Sequence, residues 1–211
     1  MHALPAYLDL ARTRVERRLG WYVVIVAWCL LAMAFGVFAA AELDAVQRAD
    51  LLSYLGGFLG SVRSGLPPGT QLMRSALLSD GRLLLIAWAC TLCLVGAVLS
   101  WFTLGVKSFA IGFSAAFLVG ELGGQGVVLV LTAVVPPALL VLPSMMLLCE
   151  AAMAYVGDFY RARWRAPGIM QAFWRFGASG ALALCGIVLA AVVEAYVSPL
   201  ALHLLWPYIG K

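Results

Sequence analysis

Five apolar runs, at residues 21–41, 83–104, 106–122, 127–157 and 178–202, alternate with short polar stretches along the 211-residue chain. An α-helix rises about 1.5 Å per residue and needs about 20 apolar residues to cross hydrocarbon. Four of the runs meet that length. The run at 106–122 has an apolar core of only 12 residues, Ser108–Val119, and parity decides that it crosses. Without it the next span would carry Arg161, Arg163, Arg165 and Arg175 to the outside, against the positive-inside rule. Nine of the 14 Lys and Arg then fall on the cytoplasmic side: these four, Lys107, and Arg12, Arg14, Arg17 and Arg18. The pattern predicts an all-α, polytopic helical bundle of about five spans with the N-terminus cytoplasmic. It forms a single membrane domain over residues 1–211.

The fourth run carries a second signal. Val127–Glu150 is apolar, yet Pro136, Pro137 and Pro143 interrupt it and Glu150 ends it with a charge. Proline removes a backbone donor and clashes with the preceding turn, so a kink or break is expected here. Freed carbonyls in hydrocarbon need partners from protein or from a water-filled cavity. This is therefore expected to be an inner helix that faces its neighbours.

Between the first two spans, residues 42–80 form the longest polar excursion, on the extracytoplasmic side. Leu51, Leu52, Leu55, Phe58, Leu59 and Val62 line one side of a helix there, with Tyr54 beside them, and Leu66-Pro67-Pro68-Gly69 stops it. A helix on the outer surface follows, and Leu51, Tyr54, Leu55, Phe58 and Leu59 are its candidate partner-docking residues. Gly56 and Gly60 make one GxxxG that could seat another helix. At the other end of the first span, residues 1–20 combine four arginines with Leu4, Leu8, Ala11, Val15 and Leu19 near helical period. They form either a basic amphipathic helix on the inner face or a flank that fixes orientation. Ala39-Ala40-Ala41 resembles a signal-peptidase site, but the apolar run exceeds the usual h-region of about 7–15 residues. The first span is expected to be retained.

Composition sharpens the class. The chain is 64% hydrophobic and 11% charged, against roughly 25% charged in soluble domains. Cys29, Cys90, Cys93, Cys149 and Cys185 all lie in apolar runs and read as small packing residues. No metal site or cofactor is expected. No HExxH, GxSxG or phosphate-binding glycine loop is present, and Gly123-Gly124-Gln125-Gly126 reads as a tight turn between spans. The basic loop at 158–177 is expected to meet anionic headgroups of the lipid bilayer, with no nucleic-acid role. Nothing in the pattern points to an enzyme.

Two carboxylates remain. Glu150 and Glu194 lie within apolar runs, where a charge costs at least about 2.5–3.5 kcal/mol and is a functional candidate by default. Their positions along their helices differ, which argues against a shared acid pair. Glu194 is expected to approach Glu121 and the outer glycine turn, holding the outer end of the bundle, with no basic partner within the spans.

Four stretches give the chain a family likeness. They are Asp50-Leu51-Leu52-Ser53-Tyr54-Leu55-Gly56-Gly57-Phe58-Leu59-Gly60, Phe109-Ala110-Ile111-Gly112-Phe113, Val134-Val135-Pro136 through Leu142-Pro143, and Glu194-Ala195-Tyr196-Val197-Ser198-Pro199. In these the chain resembles the stage II sporulation protein M family. The resemblance implies a non-enzymatic membrane component of the engulfment machinery, in the septal and engulfing plasma membrane. It further implies that the protein anchors and recruits peptidoglycan hydrolases, stage II sporulation protein P working with stage II sporulation protein D. It makes Tyr196 and Pro199 candidate site residues beside Glu194. A homodimer is compatible with the glycine-rich faces. The alternative from a different class is a small ion- or proton-coupled transporter using Glu150 and Glu194. No internal repeat supports it.

Overall fold

A computed structural model describes residues 3–64, 69–91, 96–162 and 166–197. Among these the chain is helical almost throughout and holds no strand. Helix α1 spans Ala3–Ala41, so the basic N-terminal stretch continues the first apolar run as one helix. Gly123, at φ 55°, makes the turn between two later helices, a conformation that glycine adopts at little cost.

Helix α2, Ala45–Ser64, is the helix anticipated outside. Next come α3 (Gly69–Ala76), a π-helical turn at Leu77–Gly81, and α4 (Arg82–Thr91). These three run without a gap over residues 69–91. The next helix, α5, is continuous from Gly96 to Leu122.

The two spans expected at 83–104 and 106–122 are therefore drawn differently. No helix ends near residue 105. Instead α4 and α5 pack on each other as a hairpin. Gly96 sits so close to the backbone of Cys90 and Thr91 that no Cβ fits. The Thr91 and Ser100 hydroxyls, each bonded to a carbonyl of its own helix, lie 3.3 Å apart. The polar residue Lys107, which suggested a boundary, lies in mid-helix.

After the turn at Gly123 come α6 (Gly124–Leu129), a second π turn at Val130–Val134 and α7 (Val135–Ala162). Helix α8 (Ala166–Val192) passes into a third π turn at Val193–Val197. Pro143 lies inside α7, and Pro136 and Pro137 occupy its first turn, where a missing N–H does least harm. The expected break is thus replaced by a widened turn in a run that continues from Gly124 to Ala162.

Four helices among the described residues are long and apolar enough to cross a membrane: Gly20–Ala41, Gly96–Leu122, Gly124–Gly157 and Phe173–Tyr196. The core lies between α4, α5, α7 and α8, with Leu84, Leu104, Cys149, Ala152 and Ile187 almost fully buried. Helix α1 joins it through small residues. Gly36 meets the backbone of Phe109 and Phe113, and Gly112 meets that of Met33, so the two helices cross at a distance only glycine allows. Trp28 then lies over Gly105 and donates to the Trp101 carbonyl at 3.1 Å.

Candidate functional site

Lys107 is the residue around which the site is built. It is eleven residues into α5, and Asp80 is eleven residues before the end of α4. A hairpin brings such equidistant positions level, about 16 Å from the helix ends at the turn. The Lys107 ammonium donates to the Asp80 carboxylate in a close ion pair. The Asp80 side chain is only 6% exposed and that of Lys107 24%. Both groups had been expected near the membrane surfaces, Lys107 inside and Asp80 outside. Instead they meet within the bundle, and the expectation of no basic partner among the spans is overturned.

The pair borders a cavity of about 240 Å³, and Glu194 lies on its wall. The remaining lining comes from α5, through Ala110 and Ser114, and from the stretch around Ala133 and Pro137. Three elements that depart from α-helix converge here. Asp80 belongs to the first π turn, Ala133 and Val134 to the second, and Glu194 to the third. A π turn accommodates one extra residue and recurs at functional sites.

The second π turn has a traceable cause. The Val135 N–H bonds to the Val130 carbonyl, one residue further back than in an α-helix. Pro136 and Pro137 offer no N–H to the carbonyls of Thr132 and Ala133 that would otherwise receive them. The Thr132 hydroxyl bonds back to the Val128 carbonyl at 2.8 Å. Thus the proline pair signals a special turn beside a cavity.

The other sequence-predicted residues fall elsewhere. Glu150 is buried in α7 but does not line this cavity, so the two glutamates form no common site. Glu121 pairs with Arg48 of α2 at 3.1 Å, not with Glu194. Pro143 borders a separate apolar groove between α1, α5 and α7. Tyr196 is half exposed, at 52%, and Pro199 lies outside the described residues.

On α2, Leu51 and Leu55 are half-buried, and Leu55 packs toward Leu118 and Leu129. Tyr54 is 81% exposed. The side chains of Phe58 and Leu59 lie outside the described residues. Among the described residues, nothing lies within 4 Å of a Cβ placed at Gly56 or Gly60.

The residues missed at the sequence level are Asp80, Lys107 and Ser114. An equal spacing of opposite charges about Thr91–Gly96 is the signal that could have found the first two.

No curated protein and no solved structure matches the chain. A family model, that of stage II sporulation protein M, matches residues 24–199. The match takes in α1 from Val24 onward, α2, the hairpin, the proline stretch and the cavity. The chain belongs to the stage II sporulation protein M family.

Proposed function

We propose that this chain is a non-catalytic scaffold of the sporulation engulfment machinery, held in the plasma membrane and recruiting peptidoglycan hydrolases through its outer helix. Family membership suggests a sporulation membrane protein and is not that of a known enzyme family. The observation that carries the scaffold reading is the state of α2. The helix is tied to the bundle by the Arg48–Glu121 ion pair and by Leu55, yet it leaves Val46, Leu52 and Tyr54 exposed at 74%, 38% and 81%. A helix that leaves outward apolar side chains uncovered suits a docking element. The proposed partners are stage II sporulation proteins P and D, in the septal and engulfing membrane.

The proposed topology has five crossings: α1, residues 69–91, α5, the run 124–157, and 173–196. The N-terminus is cytoplasmic and the C-terminus outside. The crossing at 69–91 is a 23-residue helical stretch whose charges Arg74, Asp80 and Arg82 lower its hydropathy. This arrangement keeps seven arginines in the N-terminal and basic-loop segments, with Arg175 at the inner end of the last crossing, inside as the positive-inside rule requires.

Co-purification from membranes of sporulating cells tests the reading. Wild type is compared with Leu52→Ser/Tyr54→Ser, which spares the inward Leu55. The hydrolase is expected with wild type and at least tenfold reduced with the variant. Equal recovery from both would remove α2 as the docking element, and no hydrolase with either would remove the scaffold role.

A further inference from the structure

We propose that the open side of this cavity is where a second copy of the chain docks within the membrane, about a two-fold axis passing beside Ser114. The inference does not rest on the scaffold reading. Four side chains on the cavity wall are left uncovered. Glu194, Ser114 and Ala110 are exposed, and Lys107 keeps 24% of its side chain accessible beside its bond to Asp80. Glu194 makes no ion pair among the described residues. All four lie in helices long and apolar enough to cross a membrane. Hydrocarbon offers a carboxylate, an ammonium and a hydroxyl no partner, and ionisable groups within spans turn toward protein or water and pair with one another.

The charges on the wall select the occupant. A lipid tail gives Glu194 nothing to bond. A helix carrying only basic residues would suit Glu194 and be repelled by Lys107. A face that presents an acid and a base together is complementary to itself under two-fold rotation, because in a closed dimer residue i meets j wherever j meets i. Two copies inserted in one orientation have their axis along the membrane normal, so residues at equal depth face each other. Lys107 and Glu194 border one cavity and therefore stand at similar depth. Glu194 of each copy then meets Lys107 of the other, giving two reciprocal contacts.

The same face lets two backbones come close. Ala110 and Ser114 are one turn apart on α5 and both exposed, the small-xxx-small spacing through which membrane helices associate. Other exposed residues of α5 include Phe102, Val106 and Phe109, whose bulk holds a neighbour away. The dimer thus forms on α5 and not on the Gly56 and Gly60 pair of α2.

Disulfide crosslinking of the full chain in native membranes tests the proposal, with single cysteines in a background lacking the native ones. Ser114→Cys is expected to give a product of twice the 22.5 kDa chain mass on mild oxidation. Phe102→Cys, on the bulky side of the same helix, should give none. Adding Glu194→Lys to Ser114→Cys sets like charges against each other and should cut the dimer yield at least tenfold. Adding Ala110→Leu instead should do so by blocking the approach. Both second changes fall on exposed positions, and thermal unfolding checks that the variants keep the fold. Absence of a Ser114→Cys dimer would overturn the proposal, whatever the variants do. Crosslinking at Phe102→Cys in its place would move the interface to another face and overturn it too. An adduct of Ser114→Cys with a different protein would assign the groove to that partner and equally sink the second copy. So would a full dimer yield in the presence of both Glu194→Lys and Ala110→Leu.

Discussion

At the scale of single residues the Asp80–Lys107 pair is the feature with the most at stake. Two charges withdrawn from water are costly, and removing one leaves the other stranded at about 3–5 kcal/mol for a fully buried pair. Lys107 is a quarter exposed, so the lower end applies. Asp80→Asn alone is expected to lower stability by about 3 kcal/mol. The double change Asp80→Leu/Lys107→Met should restore most of it. A thermal-unfolding cycle on wild type, Asp80→Leu, Lys107→Met and the double variant reads the coupling, and additive effects would show that the pair contributes nothing.

Neither residue was identifiable as half of a pair from the sequence. A lysine between two apolar stretches has the form of a membrane boundary under the positive-inside rule, and that rule concealed a buried ion pair. Glu194 was different: a carboxylate in a long apolar run stands out, and it does line the cavity.

At the scale of elements, the proline stretch was legible as a disturbance but not as the kind of disturbance. Composition specifies that two carbonyls lose their donors. Whether the helix then breaks, kinks or widens depends on what lies against it, here α5 and the cavity. The widened turn at Val130–Val134 places one extra residue in the run, which turns the preceding α6 by about 100° relative to a regular helix. Pro136→Ala/Pro137→Ala restores two donors and is expected to let the turn revert toward α-helix. Reversion would rotate Leu129, now packed with Leu118, off α5. A disulfide engineered between positions 118 and 129 should form readily in an otherwise wild-type chain and poorly in the double variant. Equal crosslinking would show that packing, not the prolines, dictates the turn.

The helix–helix contacts were partly legible in the same sense. The stretch Phe109-Ala110-Ile111-Gly112-Phe113 was marked out by family likeness. Its physical reason appears only where Gly112 touches the backbone of Met33.

At the scale of the whole molecule, the all-helical architecture followed from hydropathy, and four helices among the described residues are long and apolar enough to cross a membrane. In the middle, Thr91, Gly96 and Ser100 stand inside one apolar run, and hydropathy does not mark them as the ends of two helices. Hydropathy has no term for a turn made by Gly96 packing on Thr91. The two placements of Lys107 differ in accessibility. In a background without native cysteines, Lys107→Cys is expected to resist a membrane-impermeant maleimide from both sides of the membrane. Ready labelling from the cytoplasm would return the boundary to residue 105.

The hairpin also bears on how the protein is made. With Arg74, Asp80 and Arg82 in its length, the stretch 69–91 is a poor substrate for insertion when it leaves the ribosome alone. Its aspartate finds its counter-charge only when Lys107, 27 residues later, has been synthesised. The two helices would then enter lipid as one unit, with the charges already joined. On the proposed topology, the insertion machinery would hold a half-finished, charged helix until its partner arrives.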